Sequence, residues 1–436
     1  MLRKFWPGAS HTTVNKLQPQ HIEEVHVPTI QDDQPCNPFN EIHVLTGHQD
    51  IVNIIKIIDE TRLASSADDN LVIIWDFENG DQLHSLHGHT RPVTAILVHQ
   101  KIGFKHQDSC LVIITASSDK TIRIWDCGDG VCLNTIEDHG STVKCLVNVN
   151  AHDFMFCSGG EDLCLWDIKG KLLCKEAQPD NDSDVHSILP IKNDKLVVAF
   201  SRQSLVVYAI SEMLQNKSFK FHSRLRPHRD DVRCLTSITD ESFVSASLDG
   251  EIIVWSNNTL QPIKQFNEMG EFEGASHLYP YSVQHLFVLD QRFIFAAVGA
   301  GFSIYDALSG KCVAQRDNVH HSKVSYIHLL NERFILATCS EDGTVRLWGS
   351  PNRHLPDEFS PIEHFLGKSI NDITSSVNVP ELLGECLGHS ESVRMIADFG
   401  GDGFASCAND GLIILWKDGW RERQKRMEMA RSLLFT

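Results

Sequence analysis

The 436-residue sequence contains no apolar run long enough to span a bilayer. It shows no secretory leader either: Arg3 and Lys4 lie near the start, but no apolar stretch follows them. These absences predict a soluble, cytoplasmic protein with no direct membrane insertion, which reaches membranes only through a partner. Positive charge is scarce too. Lys and Arg number 39 against 57 Asp and Glu, a formal net charge of −18, which disfavours a broad grip on nucleic acid or anionic lipid. Cys-x-x-Cys pairs are missing. The 13 cysteines are odd in number and scattered, and Cys145, Cys157, Cys234 and Cys407 fall in strand-like runs. Neither a zinc ribbon nor a disulfide framework fits this pattern, whereas buried reduced thiols do. No cofactor or metal is implied.

What is present is a repeat. A chain of this length suggests two or three domains unless repeated units extend a single body. Short apolar runs end in Trp75, Trp125, Trp166, Trp255, Trp348 and Trp416, and two more end in Tyr208 and Tyr305. Most spacings are 41 to 50 residues, close to the roughly 40–45 of a four-stranded propeller repeat. Upstream, a His sits four residues before a Val: His48 and Val52, His89 and Val93, His139 and Val143, His228 and Val232, His320 and Val324, His389 and Val393. Val- and Ile-rich strands separated by polar turns form small twisted antiparallel sheets. Eight of them arranged radially predict an all-β, eight-bladed WD40 β-propeller.

Asp stands six residues before Trp at Asp69, Asp119, Asp249, Asp342 and Asp410, and Ser stands eight before it at Ser117, Ser247 and Ser340. In an isolated copy, His, Ser and Asp would suggest a hydrolase. Three copies in fixed phase instead predict a buried polar network, in which Asp accepts from His and Ser, and Ser links on to the Trp indole. The complete sets are His89, Ser117, Asp119 and Trp125; His228, Ser247, Asp249 and Trp255; and His320, Ser340, Asp342 and Trp348. A nucleophilic triad needs one exposed Ser beside an oxyanion hole, so no catalytic residue is assigned. The fourth and sixth units are degenerate: the fourth has no His, turn Asp or Trp, and the sixth has no Asp turn. In the sixth, Val298-Gly-Ala-Gly301 lies between two strands with no helix after it, which predicts a tight hairpin rather than a phosphate loop.

The last repeat stops at Trp416, one strand short, and the surplus strand lies at the other end. Residues 41–46 precede Gly47-His48 as Gln82 to His87 precede Gly88-His89. They are expected to close the ring beside the strand ending at Trp416, which removes open edges. Propeller residues therefore span 41–416, after a flexible polar arm at 1–40. Two irregular pieces remain. One is a long insertion in the seventh blade, 349–381, where Phe359, Ile362, Phe365 and Leu366 sit among acidic residues as a candidate partner-binding motif. The other is a basic segment, 417–436, predicted to be an amphipathic helix carrying Trp420, Met427, Ala430 and Leu434 near one face, with Arg421 and Arg423 beside them.

Several stretches resemble the WD repeat-containing protein 41 family. They are Ser141 to Leu146, Ser158 to Trp166 with its shortened turn, Leu172 to Lys175, Phe295 to Gly299, Cys339 to Trp348 and Leu412 to Lys417. The resemblance implies a non-catalytic scaffold or adaptor in a complex with two DENN-domain proteins, acting as a GTPase activator for small GTPases in autophagy. It implies that the adaptor recruits the complex to the lysosomal surface in response to amino-acid status, through a cationic amino-acid transporter. It further implies that the clasp residues Ile42 and Val44, with Trp420, Arg421, Arg423, Met427 and Leu434 of the helix, face a DENN partner, and that the 349–381 loop faces the transporter. The loop here departs from the family's richness in aromatics and glycine. The alternative expectation is a substrate receptor of a cullin-type ubiquitin ligase, although no Trp-Asp-x-Arg sequence follows any repeat.

Overall fold

A computed structural model describes residues 27–29, 37–101, 110–150, 155–177, 184–201, 204–213, 216–225, 228–266, 281–330, 332–351, 358–373 and 375–434. Eight four-stranded antiparallel sheets form the blades of a closed propeller. The first strand among the described residues is β1 (Phe39–Leu45), and blade 1 follows as β2 (Val52–Ile57), β3 (Arg62–Ala67), β4 (Val72–Asp76) and β5 (Asp81–Leu86). Blades 2 to 8 repeat this inner-to-outer order, starting at Val93, Cys145, Val185, Val232, Val283, Val324 and Val393. The third strand of each blade is largely buried and mostly apolar, as in Val72-Ile-Ile-Trp75, although Arg123, Ser303 and Arg346 interrupt three of them. Eight apolar clusters fill the eight gaps between neighbouring blades. One of them joins Leu415 and Ile413 of blade 8 to Leu63, Ile73 and Trp75 of blade 1, so the ring has no open interface.

A recurring irregularity sets the aromatic ring. In blades 1 to 7 the pairing between the third and fourth strands shifts by one residue at the aromatic position, as between Ile74 and Trp75 or between Ile304 and Tyr305. Such a bulge sharpens the local twist and re-aims the side chain. Blade 8 differs because its outer strand comes from elsewhere. There β1 supplies that strand, pairing Ile42 with Trp416 and Val44 with Ile414, and its bulge falls between Phe39 and Glu41. The clasp therefore runs 39–45, starting two residues before the sequence-based limit.

The arm and the loop are both tied down where they are described. Val27 is buried, Arg346 donates to the Pro28 carbonyl at 2.8 Å, and Phe39 packs edge-on to Phe404 at 5.2 Å. A wholly flexible 1–40 arm is thus corrected for residues 27–29 and 37–40; Leu2, Phe5 and Trp6, the large apolar residues near its start that the sequence offers as anchors, lie outside the described residues. In the loop, α1 (Pro361–Leu366) starts at Ser360, whose N–H donates to Glu363 at 2.9 Å, with Pro361 pre-set for the first turn. Gly367, at φ 68°, ends it in the left-handed region. The short α2 (Ile370–Ile373) follows. Asn378 then bonds like a strand residue to blade 6: its N–H donates to the Val313 carbonyl at 2.9 Å and its carbonyl accepts from Gln315 at 3.0 Å.

This order corrects the partner-binding reading of the loop. Ile362, Phe365 and Leu366 are buried against Phe295, Phe302, Val313 and Trp348, in the cluster between blades 6 and 7. They form an added layer of core, and a side chain with no accessible surface cannot meet a partner. Phe359 is half-buried and packs edge-on to His364 at 6.2 Å. A third helix, α3 (Gly419–Leu434), leaves blade 8 directly from its third strand.

Candidate functional site

The repeated polar residues form the first candidate. In four blades a His Nδ1 meets the turn carboxylate: His48–Asp69 at 2.9 Å, His89–Asp119 at 2.9 Å, His320–Asp342 at 3.0 Å and His389–Asp410 at 3.0 Å. On the other side each His Nε2 meets a hydroxyl, and the Trp indole donates to that same hydroxyl. The bridging groups are Ser65, Thr115, Thr338 and Ser406 in these blades and Ser245, between His228 and Trp255, in blade 5, with indole distances of 2.7–2.9 Å. Each lies ten residues before its Trp. Ser117, Ser247 and Ser340, expected to hold the indole, do not. The reason is register. Trp125 stands opposite Ile113, and its indole reaches two residues along the strand to Thr115, whereas Ser117 sits at the strand end. There Ser117 accepts from the Asp119 N–H at 3.0 Å and donates to the Arg91 carbonyl at 2.8 Å. In blade 3 the shortened turn moves the bridging hydroxyl to Ser158, eight residues before Trp166.

Burial makes these groups poor acid–base catalysts. It lowers the pKa of His48, His89, His320 and His389, and pushes His139 down to about 4. Burial alone would raise Asp119, but hydrogen bonds from Thr121, the Thr90 N–H and His89 outweigh it and hold the carboxyl down to about 2. Neutral imidazoles wedged between carboxylate and hydroxyl have their hydrogen-bonding capacity taken up internally. The thiols are similarly inert: burial pushes Cys145 and Cys164 up to about 12.

The second candidate is exposed. Lys417-Asp418-Gly419 converts the last blade strand into α3. Asp418 is buried and accepts from the Trp420 and Arg421 N–H groups at 2.9 and 3.0 Å, capping the helix, while Arg333 pairs with its other oxygen. Gly419 leaves room for the exposed Asn40 side chain, whose Oδ1 would have to move aside for a Cβ there. The first turns of α3 are pinned by Arg421–Glu332 at 3.2 Å, Lys425–Asp402 at 2.7 Å and an Arg426–Glu41 pair. Between β1 and α3 lies a groove of about 570 Å³ lined by Asn40, Glu41, Ile42, Gly419, Trp420, Arg423 and Arg426.

Of the residues singled out in the sequence, Ile42, Trp420 and Arg423 converge on this groove. Trp420 is 67% exposed, Ile42 49% and Val44 50%. Arg423 is exposed and forms no ion pair among the described residues. Arg421 does not line the groove; it holds the helix to Glu332. Met427 is exposed one turn beyond Arg423, and the Leu434 side chain lies outside the described residues. Sequence reading missed Asn40, Glu41 and Arg426. The spacing Trp420, Arg423, Arg426 already places three residues on one helical stripe, and only the pairing of β1 brings Glu41 opposite.

A closed eight-bladed ring with a buried His–hydroxyl–Trp chain in six blades is a WD40 propeller, a fold that generally serves as a non-catalytic scaffold. A family model described as WDR41 matches residues 13–426. WD repeat-containing protein 41 from Mus musculus is 32% identical, and that from Homo sapiens 31%, each over 93% of this chain and 93% of the relative. The chain belongs to the WD repeat-containing protein 41 family. Its fold is also shared with the computationally designed Ika8 protein, with a TM-score of 0.63 at 20% identity, covering 86% of this chain and 98% of that one. Among the described residues no helix is long and apolar enough to cross a membrane.

Proposed function

We propose that this chain is the adaptor subunit of a complex with two DENN-domain proteins, and that one of them docks on the groove between β1 and α3. The complex would activate GTP hydrolysis by small GTPases in autophagy, and the propeller would bring it to lysosomes when amino-acid supply changes. The observation that carries the reading is the convergence of Ile42, Trp420 and Arg423 on one open groove. Exposed Trp and Arg are the residues that most often dominate binding energy at protein interfaces. The rest of the chain's repeated polar chemistry is internal, so the irregular pieces are the surfaces available to partners.

Recruitment through a cationic amino-acid transporter is proposed on a different part of the loop from the one first expected. With Ile362, Phe365 and Leu366 buried, the loop offers Val377 and Val379, which are 54% and 63% exposed and flank the anchored Asn378. Affinity purification of the full chain from cells, read by mass spectrometry, tests the function. Recovery of two DENN-domain proteins supports it. Recovery of cullin adaptors in their place overturns it in favour of a ubiquitin-ligase receptor.

A further inference from the structure

Blade 5 differs from blades 2 and 7 at one point. In blades 2 and 7 a Thr follows the turn Asp by two residues and fills the space beside the His. Thr121 lies 3.2 Å from His89 Nδ1 and donates to Asp119 at 2.7 Å; Thr344 does the same at 3.1 and 2.7 Å. Blade 5 has Glu251 at this place, itself buried. The wider side chain coincides with an opened pair. His228 Nδ1 stands 4.0 Å from Asp249 Oδ1 and 4.0 Å from Glu251 Oε2, against 2.9–3.0 Å for the corresponding His–Asp contacts in blades 1, 2, 7 and 8. The His228 side chain has no exposure, its Nε2 is fixed by Ser245 at 2.7 Å, and its Nδ1 has no hydrogen-bond partner.

We propose that His228 Nδ1, Asp249 and Glu251 form a divalent-cation site in blade 5, suited to zinc. One donor atom from each lies within 4.8 Å of the other two. An ion centred among three such atoms sits roughly 2.5 Å from each, a few tenths of an ångström beyond the ~2.0–2.2 Å of zinc bonds to imidazole and carboxylate. Small side-chain rotations close that difference. The chemistry of the donors fits a borderline cation: one neutral imidazole, kept neutral by burial, and two carboxylates. The Ser245 contact fixes the ring so that Nδ1 points at the carboxylates, the orienting role an outer-shell partner plays in metal sites. Asp249 is in a turn with its side chain partly exposed, which gives an ion a path from solvent and leaves room for water as a further ligand. In the apo state the gap costs a buried nitrogen its partner, and the ion restores it.

The test uses the full chain, stripped with a chelator under non-thiol reductant and then titrated with zinc alone. Glu251→Thr recreates the arrangement of blades 2 and 7, and Glu251→Gln preserves side-chain shape should the threonine variant fold poorly. The wild type is expected to bind one equivalent more zinc than either variant. Loss of the carboxylate should weaken that site by more than the roughly 10- to 100-fold typical of outer-shell changes. Zinc should also raise the thermal midpoint of the wild type by more than it raises that of the variants. Equal stoichiometry and equal thermal response in all three proteins would overturn the site and leave a His–carboxylate cluster of purely internal role.

Discussion

At the scale of single residues, the hydroxyl between His and Trp decides which position matters. Thr338 accepts the Trp348 indole at 2.9 Å and faces His320 Nε2 at 2.8 Å. Thr338→Val leaves both groups buried without a partner, and each such loss costs about 1–3 kcal/mol. Urea unfolding is expected to show a loss on the order of 3 kcal/mol for Thr338→Val, against about 1 kcal/mol for Ser340→Ala, which removes only the turn contact to the Asp342 N–H. The imidazoles add a pH dependence. Their folded pKa values lie below the unfolded value of 6.5, with His139 down to about 4. The unfolded chain therefore binds protons that the folded chain excludes, and stability falls as pH drops below about 6.5. For His139 the fall continues to about pH 4. The depressed Asp119 carboxyl acts in the same direction at lower pH, its contribution being lost as pH falls from near 4 through about 2. Thermal midpoints should hold between pH 7.5 and about 6.5 and decline from there to pH 4.5. At this scale the sequence showed which His, Asp and Trp residues recur, because their phase is fixed. It misassigned the Ser, because positions eight and ten before Trp share one strand face by the two-residue alternation, and only the observed register tells them apart.

Elements outside the blades divide by how firmly they are anchored. The loop helix α1 is a core element: Phe365 packs at 6.0 Å from Phe295 with no accessible surface. Phe365→Ala is expected to destabilise the protein by about 3–5 kcal/mol, seen as a lowered urea midpoint. A surface motif would instead tolerate the change. The helix α3 is held at its base. Asp418→Ala removes the cap, worth about 0.5–2 kcal/mol, together with the partner of Arg333. Amide exchange over residues 419–426 should accelerate while the blade strands remain protected. The clasp was legible in the sequence because 41–46 duplicate the approach to each Gly-His pair. The burial of the loop was not legible, because an apolar cluster in an acidic segment reads the same whether it faces a partner or the gap between blades 6 and 7.

For the whole molecule, ring closure and the proposed docking groove share one strand. β1 completes blade 8 through its pairing from Ile42–Trp416 to Leu45–Ile413, and its exposed Ile42 lines the groove. A chain starting at Thr46 should therefore lose both stability and partner binding, so truncation cannot separate the two roles. Point changes on the exposed wall can. Trp420→Ala combined with Arg423→Glu leaves the Arg421–Glu332, Lys425–Asp402 and Arg426–Glu41 ties and the Asp418 cap in place. The most direct measurement is the affinity of this double variant for the proposed DENN-domain partner, taken beside its thermal midpoint. The account predicts binding weakened at least tenfold, equivalent to 1.4 kcal/mol or more, with the midpoint unchanged; wild-type affinity in the double variant would contradict it.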